Sequence, residues 1–124
     1  MALVTPYLFY EDAEAAADFL TRAFGFEEHL RAIGGAGGLH IELRLEGDSV
    51  MIGQATWEYA NPRKSDNATA MVHVYLDDVE GHRERARAAG AEIVNELVTQ
   101  PNGDRRYDVR DPEGHMWSFA QAAG

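Results

Sequence analysis

One pattern occurs twice in this chain, about 65 residues apart, and it constrains the fold more than any other feature. In residues 10–27 and again in residues 76–92, an apolar, strand-like run leads into two acidic residues, an alanine-rich stretch and a Gly-x-Glu step. A repeat of this length that occurs only twice does not fit a solenoid. It predicts one α+β domain of two βαβββ modules, with residues 1–54 in the first, 55–68 as a linker and 69–122 in the second.

Composition narrows the classes of function. The 124 residues suffice for one domain with a core of its own. The chain has no cysteine, which excludes disulfides, thiolate metal sites and a cysteine nucleophile. Its net charge of −10 opposes nucleic-acid binding, which depends on clustered basic residues, and would attract a cationic ligand. No apolar run approaches the roughly 20 residues of a membrane span, and the N-terminus does not resemble a secretory signal, so we expect a cytoplasmic protein.

The first module begins with a predicted strand over residues 2–9. Asp12 is a suitable N-cap for a helix over residues 13–24, and Gly25 is a suitable C-cap. Further strands are predicted at residues 27–33, 39–45 and 49–53, and the glycine-rich residues 34–38 form the tip of a hairpin.

The second module repeats this order. Asp77, with Glu80 three residues later, predicts the start of a second helix that ends near residue 89. We expect Arg83, Arg85 and Arg87 of this helix to be solvated. Strands are predicted at residues 69–76, 92–98, 105–110 and 115–121, and the linker is predicted to be a loop.

One helix cannot cover both faces of four strands. The modules are therefore predicted to place their strands side by side in a curved mixed sheet, with the helices outside and a concave cleft inside, where a ligand would bind. Strand alternation places Trp117 in the helix-facing core, and His29 and His82 are expected in solvent.

Several motifs together resemble one known family. They are Glu11-Asp12 before the first helix, Gly25-Phe26, the run 40–45 leading into Gly47-Asp48, Asp77-Asp78-Val79, Ala89-Gly90-Ala91, Gly103-Asp104-Arg105, and residues 111–117. The chain resembles the glyoxalase/bleomycin-resistance/dioxygenase superfamily, also called the vicinal oxygen chelate superfamily, and most of all its PhnB-like branch. The resemblance implies a homodimer whose modules pair within one chain or across two. This fold hosts metal-dependent isomerases, ring-cleaving oxygenases, thiol transferases and non-catalytic drug-binding proteins, so it does not choose an activity.

The resemblance also implies positions for a divalent metal. By spacing from the shared motifs, these positions fall near Thr5, Glu42, Met71 and Ser118. Only Glu42 is a usual ligand, because hydroxyl groups are weak neutral donors and a thioether is too soft for Mg²⁺, Mn²⁺ or Zn²⁺ in an oxygen-rich site. A metal cofactor is therefore not favoured, although a divalent metal is possible.

Alternation along two strands selects the polar candidates. If Ile41, Leu43 and Leu45 pack under a helix, then His40, Glu42 and Arg44 face the cleft, and the same argument turns Met71, His73 and Tyr75 toward it. His40, Glu42 and His73 would be acceptable ligands for Zn, Fe or Mn, or groups for acid–base catalysis, with Glu42 and His73 as catalytic candidates. They could equally form a polar lining without chemistry. Glu42 and Arg44 are expected to form an ion pair.

The remaining ligand-binding candidates are aromatic or cationic. Tyr7, Phe9, Trp57 and Tyr75 would form an aromatic pocket that favours a flat or cationic guest. The loop at residues 100–106 would overhang the cleft, and Arg106 would pair with an oxygen of the ligand. The complete predicted ligand-binding set is Tyr7, Phe9, His40, Arg44, Trp57, Met71, Tyr75 and Arg106.

Three functions are compatible with these features. The first is the binding of a small organic molecule in the cleft without the family's metal. The second is a metal-dependent lyase, isomerase or dioxygenase that uses His40, Glu42 and His73. The third, a structural or regulatory partner protein, requires a large exposed apolar patch that the sequence does not show clearly.

Overall fold

The computed structural model describes the whole chain, from Met1 to Gly124, as eight strands and three helices. The elements in chain order are β1 (Tyr7–Tyr10), α1 (Ala13–Phe24), β2 (Glu27–Ile33), β3 (Leu39–Leu45), β4 (Asp48–Gln54), α2 (Pro62–Ser65), β5 (Met71–Tyr75), α3 (Val79–Ala88), β6 (Glu92–Thr99), β7 (Arg105–Arg110) and β8 (Met116–Gln121). None of the helices has the length and apolar character that a membrane span requires.

The predicted duplication is confirmed by the strand order. Module one forms a sheet in the order β1-β4-β3-β2, and module two forms a sheet in the equivalent order β5-β8-β7-β6. In each sheet the first pair of strands is parallel and the other two pairs are antiparallel. The strands of the two modules are not hydrogen-bonded to each other, so the chain contains two four-stranded mixed sheets rather than one continuous curved sheet.

Helix α1 has the predicted bounds. The Asp12 side chain accepts a hydrogen bond from the backbone N–H of Ala15 at 3.0 Å. At the other end Gly25 adopts φ 85°, the left-handed conformation that a side chain disfavours, and its N–H donates to the carbonyl of Thr21 at 3.2 Å. Between these caps the helix buries Phe19, Leu20 and Phe24, together with four alanines.

Helix α3 begins one residue later than predicted. Its N-cap is Asp78, whose side chain accepts from the N–H of Gly81, and not Asp77. Arg87 is exposed as expected, but Arg83 pairs with Glu96 at 2.7 Å. Arg85 is exposed as expected, and it donates to the carbonyls of Thr21 and Arg22 in the last turn of α1.

Two other boundaries differ from the prediction. The first strand begins at Tyr7 rather than at residue 2, and residues 1–4 are exposed. The linker is not entirely a loop, because α2 lies within it. Asn61 caps this short helix, and its side chain accepts from the N–H of Lys64 at 2.9 Å. Residues 34–38 connect β2 to β3, as predicted for a hairpin tip.

The two modules share one core. Trp117 of β8 is fully buried, as predicted, and its ring contacts those of Phe24 and Phe26 from module one. Beside it lies Asp111, which is 1% exposed and accepts from the hydroxyl of Tyr10 at 2.6 Å and from the indole N–H of Trp117 at 3.1 Å. Burial, reinforced by the Asp111 carboxylate, raises the pKa of Tyr10. The two halves are therefore joined by both apolar and charge-assisted contacts.

The expectation for His82 is wrong, although His29 is exposed as predicted. Nδ1 of His82 lies 2.7 Å from the hydroxyl of Tyr107, and Nε2 lies 2.9 Å from the carbonyl oxygen of Phe24. Burial lowers the pKa of His82, so the folded protein favours the neutral imidazole. Sequence alternation could not reveal this histidine because its partners come from α1 and β7.

Candidate functional site

The open face of module one, defined as the sheet face directed away from the helices, carries the residues that alternation predicted. On β3, Ile41 and Leu43 are fully buried, whereas the side chains of His40 and Glu42 are 20% and 23% exposed. Tyr7 and Phe9 of β1 lie on the same face, because Phe9 and His40 are both paired with Gly53 of β4. Sequence alternation therefore identified this face correctly.

Four aromatic side chains form a continuous row on the open face of module one. The ring centroids of Tyr7 and Phe9 are 5.1 Å apart, those of Phe9 and Trp57 are 4.8 Å apart, and those of Trp57 and Tyr59 are 5.8 Å apart. We call these four residues the aromatic row. Tyr7 is 42%, Phe9 39% and Trp57 51% exposed. Neighbouring rings are inclined at 40°, 78° and 64°. A flat molecule that stacks on one exposed ring would therefore meet the next ring at its edge, and both geometries are favourable between aromatic groups.

Tyr59 was not among the predicted site residues. Its hydroxyl donates to the backbone carbonyl of Phe9 at 3.0 Å, which fixes the linker against β1. Partial burial, together with the nearby Glu113 and Glu11 carboxylates, raises the pKa of Tyr59. The only signal in the sequence was its position two residues after Trp57.

A chain of polar contacts begins at the aromatic row. The hydroxyl of Tyr7 lies 2.8 Å from Nδ1 of His40, and Nε2 of His40 lies 3.2 Å from Oε2 of Glu42. The predicted ion pair between Glu42 and Arg44 is wrong, because Tyr7 holds the imidazole next to the carboxylate and Glu42 turns toward it. Arg44 is exposed and forms no ion pair.

The open face of module two carries Met71, His73 and Tyr75, all exposed as alternation predicted. Nδ1 of His73 lies 3.1 Å from the hydroxyl of Ser118 on β8. The hydroxyl of Tyr75 donates to Asp104 at 2.8 Å. This hydrogen bond, followed by one from the backbone N–H of Ala123, lowers the pKa of Asp104. The loop at residues 100–106 is thus tied to β5 and to the C-terminal segment.

Arg106 is already paired. Its guanidinium donates to Asp108 at 3.0 Å, and Asn95 also donates to this carboxylate at 2.8 Å. Burial on its own would raise the pKa of Asp108, but the hydrogen bonds from Arg106, Asn95 and Ser118 outweigh it and lower the pKa. Asp108 was not among the predicted site residues, although its position two residues after Arg106 on one strand face was a usable signal.

His40, Glu42 and His73 are not brought together in one chain. His40 and Glu42 lie on β3, whereas His73 lies on β5 of the other sheet and contacts Ser118. No group of three or more histidine, aspartate or glutamate side chains is placed to hold a metal ion. Of the positions that the resemblance implied, Ser118 is fully buried and bound to His73, so this donor set does not fit a divalent metal.

Two cavities lie between residues of the two modules. The smaller, of about 290 Å³, is bordered by Tyr7, Phe9 and Tyr59 of the aromatic row and by residues of β5 and β8. The larger, of about 730 Å³, is bordered by the β3–β4 turn, residues of β5 and the C-terminal segment. A volume of this range suits a small organic molecule. Three of the four residues of the aromatic row therefore line a recess, and Trp57 extends the row outside it.

Comparison with known proteins agrees with this architecture. TioX from Micromonospora sp. ML1 is 35% identical to this chain, with 98% of each chain covered and a TM-score of 0.77. An uncharacterized protein of Mycobacterium bovis is 35% identical over 124 residues, covering 95% of this chain and 82% of the relative. TnmS3, an antibiotic binding protein from Streptomyces sp. CB03234, is 20% identical, with 99% of each chain covered and a TM-score of 0.76, and at this identity it shows the fold alone.

The family comparison extends over nearly the whole chain. The model of the Glyoxalase/Bleomycin resistance protein/Dioxygenase superfamily matches residues 2–119. It confirms the superfamily that the sequence motifs suggested, while the PhnB-like branch is not confirmed. From its duplicated βαβββ modules, its relatives and this match, the chain belongs to the Glyoxalase/Bleomycin resistance protein/Dioxygenase superfamily.

Proposed function

We propose that this protein binds a planar aromatic small molecule on the open face of module one and releases it chemically unchanged. The observation that carries the proposal is the aromatic row, in which Tyr7, Phe9 and Trp57 are in mutual contact while 39% to 51% of each side chain remains exposed. Covering these rings with a flat ligand would remove apolar surface from water and add stacking contacts of about 0.5–1.5 kcal/mol each.

Charge and relatives support the choice of binding over turnover. The net charge of −10 and the exposed ring faces both favour a guest with a positive charge. TnmS3, which shares the fold, is an antibiotic binding protein. The polar groups of the open face, in contrast, are engaged with one another and do not form a set of metal ligands.

We further propose that the protein is a homodimer whose second copy closes the recess. Module two exposes 43% of Met71 and 57% of Tyr75 on its open face, and the aromatic row of module one is uncovered. Association would bury part of this apolar surface. Sedimentation velocity is expected to give a dimer, and a strictly monomeric protein at micromolar concentration would contradict this part of the proposal.

The two tryptophans make the main proposal testable by fluorescence. Trp57 lies in the aromatic row and is 51% exposed, whereas Trp117 is fully buried in the core. Titration with planar aromatic antibiotics, some cationic and some neutral, is expected to quench the emission of Trp57 saturably. In a Trp57→Phe variant the remaining emission from Trp117 should respond much less, while calorimetry still detects binding.

A matched control is Ile33→Ala, because Ile33 is also large and exposed, at 71%, but is paired with Leu39 on the helix side of the sheet. This variant should bind like the wild type. Conversion of the bound compound, detected by mass spectrometry, would contradict the proposal. One equivalent of a divalent cation per chain that is lost in His73→Ala would favour the metal-dependent alternative.

A further inference from the structure

We propose that the hydroxyl of Tyr7 is a hydrogen-bond acceptor for the ligand, and that it selects aromatic molecules bearing an O–H or N–H group at the ring edge. This inference rests on the proposed function, since it assigns ligand specificity to the same face. It depends on three features of the open face of module one: the direction of the hydrogen bonds from Tyr7 to Glu42, the packing of Tyr7 over Gly53, and the remaining exposure of Tyr7.

The direction of the hydrogen bonds follows from the chemistry of the three groups. An ionised carboxylate can only accept, so the contact between Glu42 and Nε2 of His40 places a proton on Nε2. The other nitrogen of a neutral imidazole is then an acceptor. We assign this neutral form to His40, so that the contact at Nδ1 is a hydrogen bond donated by Tyr7. Since a phenol has a single proton, the Tyr7 oxygen can offer only lone pairs to a ligand.

Gly53 places Tyr7 where it can make this contact. A Cβ atom at Gly53 would lie 2.8 Å from both Cε1 and the hydroxyl oxygen of Tyr7, which is closer than real Cβ contacts. The Tyr7 ring of β1 thus lies directly across β4 and reaches His40 on β3. A glycine inside a strand frequently marks such a close approach.

The residues paired with His40 and Glu42 on the neighbouring strands are uncharged. The residues paired with His40 on the adjacent strands are Ala32 and Gly53, and neither can titrate. Those paired with Glu42 are Leu30 and Met51. Tyr7 and Glu42 are the titratable groups in contact with His40, and the other charged residue on this face of β3, Arg44, is exposed and forms no ion pair. The hydrogen-bond direction is therefore set by Glu42, and Tyr7 retains 42% exposure for contact with a ligand.

The aromatic row and this acceptor together specify a chemical class. The rings of Phe9 and Trp57 lie at 78° to each other, so a planar ring that stacks on Phe9 would meet Trp57 edge-on and bring its own edge toward the adjacent Tyr7. A phenolic hydroxyl, an aromatic amine or an amide N–H at that edge would satisfy the Tyr7 oxygen. An ether or a carbonyl oxygen at the same position would instead face a second acceptor. Two acceptors that face each other with no donor between them are unfavourable when water is excluded.

The experiment compares a naphthol with its methyl ether, which has the same ring but cannot donate. Binding is followed by the fluorescence of Trp57. The wild type should bind the naphthol about three- to tenfold more tightly than the ether, as expected for one hydrogen bond. Tyr7→Phe should reduce this ratio to about one by weakening naphthol binding alone. Gly53→Ala should also reduce it, by displacing the ring without removing the hydroxyl, and Ile33→Ala should leave it unchanged.

The outcomes separate this inference from the proposed function. If both probes bind equally to the wild type, or if Tyr7→Phe retains the preference, the inference is overturned while the proposed function stands. If neither probe nor any other planar aromatic compound binds, both are overturned.

The hydrogen-bond direction can also be measured without a ligand. Nitrogen NMR of the isotope-labelled free protein at neutral pH is expected to show His40 as the Nε2–H tautomer, and Glu42→Gln should weaken that preference. An Nδ1–H tautomer in the wild type would overturn the inference by itself.

Discussion

Module one and module two repeat one backbone plan with different side-chain chemistry. Helix α1 buries seven of its twelve residues, whereas α3 buries only Val79 and Ala86 of its ten. The open faces differ as well. Module one presents rings that contact one another and water, while in module two Tyr75 is bound to Asp104, and Arg106 to Asp108. A duplicated fold can therefore concentrate helix packing and exposed aromatic surface in one half.

The comparison teaches where exposed residues are available for binding. Arg106 was predicted to bind ligand, and His73 to act in catalysis or hold a metal. Both have protein partners, which would have to be given up before a ligand could replace them. A ligand that contacts the ring faces of Phe9 and Trp57 would not have to replace such a partner. We therefore expect substitutions in module one to dominate both stability and binding.

The largest expected effect concerns the two helices. Leu20→Ala in α1 removes a fully buried side chain and should lower the free energy of unfolding by about 2–5 kcal/mol. Val79→Ala removes the largest buried side chain of α3 and should cost about 2 kcal/mol or less. Urea denaturation of both variants measures the difference, and equal losses would contradict the asymmetry between the helices.

The second largest effect is expected at the contact between the modules. In Asp111→Asn, one of the two oxygens becomes an N–H₂ group that faces either the donors of Tyr10 and Trp117 or two backbone N–H groups. We expect a loss of about 3 kcal/mol, because buried donors are left without acceptors. Tyr10→Phe removes only one of the four donors and should cost about 1 kcal/mol. If Asp111→Asn leaves the stability unchanged in thermal or urea denaturation, the carboxylate does not hold the halves together.

A smaller effect sharpens the comparison of the open faces. Trp57→Ala should weaken the binding of a planar aromatic ligand about tenfold, since it removes an exposed ring of the row. Arg106→Gln should change the affinity less than about twofold, because its guanidinium is already bound to Asp108. Calorimetric titration provides both values, and a large loss in Arg106→Gln would mean that the ligand extends onto module two.

The smallest effect depends on pH. Since burial lowers the pKa of His82, the unfolded chain takes up a proton at higher pH than the folded protein does. Stability should therefore fall as the pH decreases from about 7 to about 5, and His82→Gln should show a shallower slope. Glu11, Asp104 and Asp108 also have lowered pKa values, but their contributions are lost only below about pH 4.5. Urea denaturation of the two proteins across this pH range is the measurement. Identical slopes would show that His82 does not contribute to the pH dependence of stability.

Much of the fold was predictable because local signals agree with it. Asp12 and Gly25 fixed the ends of α1, and alternation in β3 separated Ile41 from His40. Asp77 and Asp78 are equally good caps in isolation. The choice of Asp78 places Val79 and Ala86 on the buried side of α3, which requires knowledge of the sheet beneath the helix.

The residues of the candidate site were predictable from the sequence, but the contacts between them were not. Tyr7, Phe9, Trp57, His40 and Glu42 were all identified, and the structure places them in one continuous set of contacts. The contact from Tyr7 to His40 crosses β4 and depends on the missing side chain of Gly53. No pattern along the sequence reports a contact across two strands, because it arises only when the sheet order is known.

The buried link between Tyr10 and Asp111 spans 101 positions of the chain. Glu113 makes a second long-range link, since it accepts from the N–H groups of Glu11 and Asp12 at the start of α1. On the ribosome, all strands of module one would emerge well before these acceptors do. Until Trp117 is synthesised, part of the surface of Phe24 and Phe26 would therefore stay uncovered. Strand β8, which is synthesised after the other strands of both sheets, therefore closes the structure. A nascent chain that stalls before β8 would expose an aromatic surface to chaperones or to other chains.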